Sequence, residues 1–135
     1  MKHLLIIFSI LAFITPAIGN ETVVLECSHD GTRKYAETGR TRDYKPKIER
    51  IAIQLRNGIP VSMTLFSEEE CSFNNSILAC KNILKGDGMN FGQTRIINQN
   101  TGEFFITLTS IRNGSWVLKD VGAGYCKKLQ QKKLF

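Results

Sequence analysis

The residues best suited to chemistry lie close together near the start of the chain. His29 is followed by Asp30 and preceded by Glu26, and Arg33 and other cationic side chains come shortly after. RNA cleavage needs a base, an acid and cations that stabilise the phosphate, and these residues include each type. A small secreted ribonuclease is therefore one hypothesis, and it predicts that His29→Ala abolishes cleavage. No serine elbow motif accompanies His29, and a His-Asp pair beside a turn glycine is more often a polar loop than a catalytic dyad.

The four cysteines, Cys27, Cys71, Cys80 and Cys126, are an even number, which is typical of disulfides in an exported chain. Three pairings are possible. We predict Cys27–Cys126, which joins the first and last structured segments, and Cys71–Cys80, which closes a short local loop. The cysteine spacing does not suit zinc, and His29 is the only histidine beyond the start of the chain. We therefore predict no metal site and no cofactor.

The start of the chain has the pattern of a secretory signal peptide. A basic residue, Lys2, precedes an apolar run from Leu4 to Ile14, and Pro16 and small residues then lead to Gly19. The apolar run has about half the length needed to span a bilayer. We predict a signal peptide over residues 1–19, a single domain over residues 20–135 without a transmembrane anchor, and a periplasmic or extracellular location.

Positive charge dominates the chain and is unevenly distributed. There are 18 basic and 12 acidic side chains, a formal net charge of +6. The basic residues that cluster in the first half and serve as candidate binding residues are Arg33, Lys34, Arg40, Arg42, Lys45 and Lys47. A lysine-rich tail follows Cys126. Such clusters favour an acidic protein or a polyanion as partner, although charged solvated loops give the same pattern.

The rest of the chain shows short alternating runs separated by turn residues. The runs around Asn57-Gly58 predict a hairpin with a type I′ turn. Residues 28–47 are polar and basic, and we expect a long loop or an irregular edge segment there. Residues 67–70 suit either one capped helical turn or an acidic loop. About seven or eight strands at hairpin spacing predict an all-β antiparallel meander, closed as a barrel or folded as a sandwich.

One run of aromatic and apolar residues predicts the core. Phe104, Ile106 and Leu108 share one face of a strand, and Phe105 lies on the opposite face. Burial of Phe105 would indicate a second core layer, whereas its exposure would indicate a binding patch. Phe105 is therefore a further candidate binding residue.

Three segments of the chain are similar to parts of a known group of proteins. They are Glu26-Cys27, Ile96-Ile97-Asn98-Gln99-Asn100-Thr101-Gly102-Glu103-Phe104 and Gly124-Tyr125-Cys126. With these segments the chain resembles small exported β-proteins of alphaproteobacteria that have no assigned activity. This resemblance implies a periplasmic or secreted β-domain and provides no catalytic residues. A looser similarity links the chain to bacterial inhibitors of lysozyme, which are also small exported barrels with terminal cysteines. The chain lacks the Ser-Gly-x-x-Tyr segment of that family.

Taken together, these features predict an exported, disulfide-stabilised β-domain that acts by binding rather than by catalysis. A secreted effector is one form that such a binding protein takes. The alternative is a domain that binds anionic polymers or a membrane surface through its basic segments. The small secreted ribonuclease is the third hypothesis.

Overall fold

The computed structural model describes residues 19–129, which form one eight-stranded antiparallel sheet. The strands are β1 (Asn20–Tyr35), β2 (Thr41–Arg56), β3 (Ile59–Met63), β4 (Cys71–Asn74), β5 (Ile77–Lys85), β6 (Asn90–Asn98), β7 (Glu103–Arg112) and β8 (Ser115–Lys128). Their order across the sheet is β3-β2-β1-β8-β7-β6-β5-β4. The outermost strands, β3 and β4, lie against each other, so the sheet curls into a nearly closed barrel.

Three predicted features of the sequence are confirmed. The fold is an all-β meander, and both predicted disulfides are formed, Cys27–Cys126 and Cys71–Cys80. Asn57 and Gly58 have φ angles of 53° and 79°, as a type I′ turn between β2 and β3 requires. Glu68–Glu70 form a single 3₁₀ turn, in which the backbone N–H of Ser67 donates to Glu70 Oε1 at 2.9 Å.

For residues 28–47 the alternative of a long loop is wrong, whereas the alternative of an irregular edge segment describes part of β2, which has a neighbouring strand on one side only. Most of this segment lies in the β1–β2 hairpin. The turn at 36–40 lies outside the strands, and a register shift leaves Asp30, Lys45 and Pro46 without partners in the β1–β2 ladder. Two features hide the strands in the sequence. The register shifts between His29 and Gly31, so the two-residue alternation is interrupted. β2 is also not paired with β3 before Ile53, and its exposed side chains there are polar apart from Pro46 and Ile48. Pro46 lies on this unpaired stretch, where no ladder donor is needed.

The core lies inside the barrel and is concentrated toward one end. Its fully buried side chains include Phe104, Ile51, Met63 and the sulfur atoms of Cys27 and Cys80. Phe104 is confirmed as a core residue, and Ile106 packs against the same cluster. The disulfide Cys27–Cys126 joins directly opposite residues of β1 and β8, and Cys71–Cys80 does the same for β4 and β5.

The predicted signal peptide and part of the predicted basic tail cannot be placed in this fold. Residues 1–18 and residues 130–135 lie outside the described part of the chain. Within residues 19–129, no helix is long and apolar enough to cross a lipid bilayer.

Candidate functional site

The barrel has two chemically different ends. At one end β1 begins and β8 finishes, and we call this end the mouth. At the other end lie the turns after β1, β5 and β7, and we call it the hairpin end. The interior is apolar toward the mouth and polar toward the hairpin end.

A half-open cavity of about 340 Å³ occupies the mouth. It is lined mainly by apolar side chains that point inward from five strands: Val23, Leu25, Ile53, Leu55, Phe73, Leu78 and Ile97. Cys126 also lines it, so the long disulfide forms part of its wall. Binding cavities for small molecules typically have about 300–1,000 Å³ and mostly apolar walls, and this cavity lies at the lower end of that range.

One charged side chain lines the mouth cavity. Lys128 is opposite Leu25 in the β1–β8 register, two residues beyond the Cys27–Cys126 pair, so its side chain shares the inner face with both. Its neighbour Lys127 points outward, where its ammonium lies 3.7 Å from Glu26 Oε1. The two adjacent lysines therefore face opposite sides of the same strand.

Toward the hairpin end the interior holds a cluster of charged and polar side chains. His29 is buried, with Nδ1 3.3 Å from the Tyr44 hydroxyl and Nε2 3.6 Å from Glu49 Oε1. Arg95 is also buried, and its Nη1 donates to the same Glu49 oxygen at 2.7 Å. Phe104 packs edge-on against the His29 ring, with 5.6 Å between the ring centroids, so the cluster borders the apolar core directly.

Burial sets the protonation of this cluster. Removal from water lowers the pKa of His29, and the Glu49 carboxylate only partly opposes that effect. Burial also raises the pKa of Tyr44, and the nearby carboxylate of Asp120 adds to that shift. Both shifts favour the neutral imidazole and the neutral phenol at pH 7.

The position of the Tyr44 side chain depends on the glycine at position 122. A Cβ atom at Gly122 would collide with the Tyr44 hydroxyl and would lie 3.0 Å from Ile106 Cγ2. Gly122 on β8 therefore allows the phenol to cross the interior and reach His29.

Three buried polar atoms next to the cluster have no hydrogen-bond partner within the described chain. They are Asn82 Oδ1, Gln93 Nε2 and Arg95 Nε. Asn82 and Gln93 are opposite one another on β5 and β6, and Arg95 follows two residues later on the same face. The register thus places all three side chains on one inner face of β5 and β6.

The structure does not assemble the residues of the ribonuclease hypothesis. Glu26 points to the outside of the barrel and faces Lys127, and Asp30 is exposed, whereas His29 is buried inside. The carboxylate beside His29 belongs to Glu49, which sequence spacing did not indicate. No group of three or more potential metal-ligating residues occurs within residues 19–129.

The six basic candidates lie in the β1–β2 hairpin, but they do not form one surface. Arg33 donates through Nε and Nη2 to the Asp120 carboxylate at 2.7 and 2.9 Å, and this pairing raises the pKa of Arg33. Lys47 lies over the Tyr44 ring, 5.1 Å from its centroid. Lys47 is nevertheless exposed, and so are the remaining four candidates, Lys34, Arg40, Arg42 and Lys45. They share the hairpin end with Lys85, Arg112 and Lys119.

Phe105 lies away from this basic end, on the outer face of β7. It is 45% exposed, so it does not belong to a second core layer. Ala123 is opposite Phe105 on β8, and the exposed side chains of Val121 and Tyr125 lie diagonally on either side of it. Phe105 is therefore the centre of a small apolar patch on the outside of the barrel.

The mouth cavity was not apparent from the sequence. In the two-residue alternation of the sequence, its apolar lining residues have the same pattern as ordinary core residues. Only the closed barrel shows that a cavity remains between them. One available signal was Lys128, a charged residue in phase with Cys126. Comparison of the chain with protein-family models, with curated proteins and with solved structures found no match.

Proposed function

We propose that this protein is an exported binding domain that holds a small apolar molecule, or the apolar part of a larger one, in its mouth cavity. The observation that carries this proposal is the cavity itself, about 340 Å³ in volume with mainly apolar walls. Water gains few hydrogen bonds in such a space, so an apolar ligand that replaces it is stabilised by burial of its own surface.

Export is part of the same proposal. The pattern of residues 1–19 is that of a signal peptide, and both disulfides require an oxidising compartment to persist. The resemblance to small exported β-proteins supports the same location. Binding rather than catalysis is favoured because His29 is buried and its ring contacts Tyr44, Glu49 and Phe104 of the same chain.

Chemical-shift mapping tests the proposed site directly. The oxidised protein is labelled with ¹⁵N and titrated with 1-octanol, a neutral probe with an eight-carbon chain. We expect saturable shifts at the amides of residues 23–25, 53–55, 97–98 and 126–128, and none at the hairpin turn 36–40. Shifts spread evenly over the outer faces, or no saturation up to the solubility limit of the alcohol, would refute binding in the cavity.

A second candidate function is binding of an anionic polymer at the hairpin end. The exposed side chains Lys34, Arg40, Arg42 and Lys45 favour it, and the ion pairs of the described chain leave all four available. Counterion release makes such binding fall steeply with salt.

Salt dependence of binding to single-stranded DNA tests this second function. Removing three phosphate contacts with Arg40→Ala, Arg42→Ala and Lys45→Ala should flatten the slope of log K against log salt by about 2. A control with Lys81→Ala, Lys127→Ala and Arg50→Ala removes equal charge elsewhere. Equal effects of both triple variants would show that only net charge matters, and absence of binding at low salt would exclude this function.

A further inference from the structure

We propose that the ligand of the mouth cavity is a single-chain aliphatic carboxylate, whose tail occupies the cavity and whose carboxylate pairs with the ammonium of Lys128. This inference rests on the proposed function, because it assigns a ligand class to the same cavity. It adds the prediction that the ligand has a negatively charged head.

The size of the cavity sets the size of the tail. An apolar cavity of about 150 Å³ accepts one benzene molecule. The mouth cavity, at about 340 Å³, is roughly twice as large. On the same ratio of carbon atoms to volume, a tail of up to about 14 carbons fits it.

The position of Lys128 sets the charge of the head. The β1–β8 register places Lys128 on the inner face, opposite Leu25, where it lines the cavity at its open side. Lys128 is exposed to solvent at this rim, so a carboxylate that emerges from the cavity meets it without being fully removed from water. The attraction between the two charges has the modest strength of an exposed ion pair.

The protein itself supplies no carboxylate to Lys128 among the ion pairs of residues 19–129. Glu26 faces outward and pairs with Lys127. Glu21 lies on the same face of β1 as Leu25, four residues earlier, and forms no ion pair with Lys128. Neither acidic residue on this stretch of β1 forms an ion pair with Lys128, although Glu21 and Lys128 line a common hollow at this edge of the barrel.

The experiment compares octanoate with 1-octanol, which share a tail and differ in charge, in titrations followed by NMR at matched ionic strength. We expect the wild-type protein to bind octanoate about two- to fivefold more tightly than the alcohol, the range of a solvent-exposed ion pair. Lys128→Ala should remove that preference, so that the variant binds the two probes with equal affinity. The matched control Lys127→Ala removes the same charge from the outer face and should keep the preference.

The outcomes separate this inference from the function on which it rests. If 1-octanol binds in the cavity but octanoate binds no more tightly, or if Lys127→Ala and Lys128→Ala have equal effects, the assignment of a carboxylate is refuted and the apolar site remains. If neither probe binds, the proposed function is refuted, and the assignment of a carboxylate ligand is refuted with it. Lys128→Glu gives a further check, because it should reverse the preference and favour octylammonium over octanoate.

Discussion

The mouth and the hairpin end of the barrel are built from the same strands, but their interiors differ in polarity and in how completely they are filled. At the mouth, branched aliphatic side chains and Phe73 cover the wall of an apolar cavity without filling it. At the hairpin end, the interior is occupied by hydrogen-bonded ions and by the His29–Tyr44 pair. The difference suggests that the polar cluster supports the barrel, whereas the space available for a ligand lies at the mouth.

The unequal pairing of the sheet explains why the two ends differ. β3 pairs only with residues 53–56 of β2, and β4 pairs only with residues 77–80 of β5. Both short strands therefore close the barrel at the mouth and leave β2 and β5 without these neighbours toward the hairpin end. An interior that is less completely closed admits water, and polar side chains are stable there at a lower cost than in a sealed core.

The largest expected effect on stability comes from loss of the Cys27–Cys126 disulfide. This disulfide joins β1 to β8, two strands that extend from the mouth to the hairpin end. Its half-cystines are 99 residues apart, against 9 for Cys71–Cys80. Loop-entropy reasoning gives a loss of about 4–5 kcal/mol in the free energy of unfolding for the Cys27→Ala, Cys126→Ala double variant and about 3 kcal/mol for the other pair. Urea unfolding measures both, and equal losses would show that the long bond does not organise the whole barrel.

The next effect tests whether the polar cluster supports the structure. Arg95→Met removes the guanidinium and leaves the Glu49 carboxylate facing only the neutral His29, which should cost about 2–3 kcal/mol of stability. Arg33→Met is the matched control at the hairpin end. Its ion pair with Asp120 is more exposed, so the loss should be about 1 kcal/mol or less.

A double variant distinguishes a lost ion pair from lost packing. Adding Glu49→Gln to Arg95→Met removes the unpaired carboxylate and should recover part of the stability. If the double variant is less stable than Arg95→Met alone, the guanidinium contributes through packing, and the cluster is not the electrostatic unit described above.

The smallest effect is the pH dependence that His29 gives to stability. Burial lowers the pKa of His29 in the folded protein below its ordinary value of 6.5, so the unfolded chain binds more protons in that interval. The free energy of unfolding should therefore decrease as the pH drops from above 6.5 toward the pKa of His29 in the folded protein. It should recover when the pH is raised again. The pH series of Tm for His29→Gln should be flatter than that of the wild type, and parallel curves would show that His29 does not titrate with unfolding.

The two ends were not equally accessible to prediction from sequence. The disulfides, the Asn57-Gly58 turn and the core position of Phe104 follow from local patterns, and all were predicted correctly. The strands over residues 28–47 were missed because the register shift after His29 interrupts the alternation. Glu49 and Arg95 are 46 residues apart and meet only across the interior, so no local pattern indicates their contact with His29.

The measurement that tests the central claim most directly is binding of 1-octanol to two variants of adjacent residues on β1. Val23 points into the mouth cavity, and Val24 lies on the other face of the strand. Val23→Phe should fill part of the cavity and weaken binding at least tenfold while Tm stays within a few degrees of the wild type. Val24→Phe should bind as the wild type does. Undiminished binding by a folded Val23→Phe variant would contradict the assignment of function to the mouth.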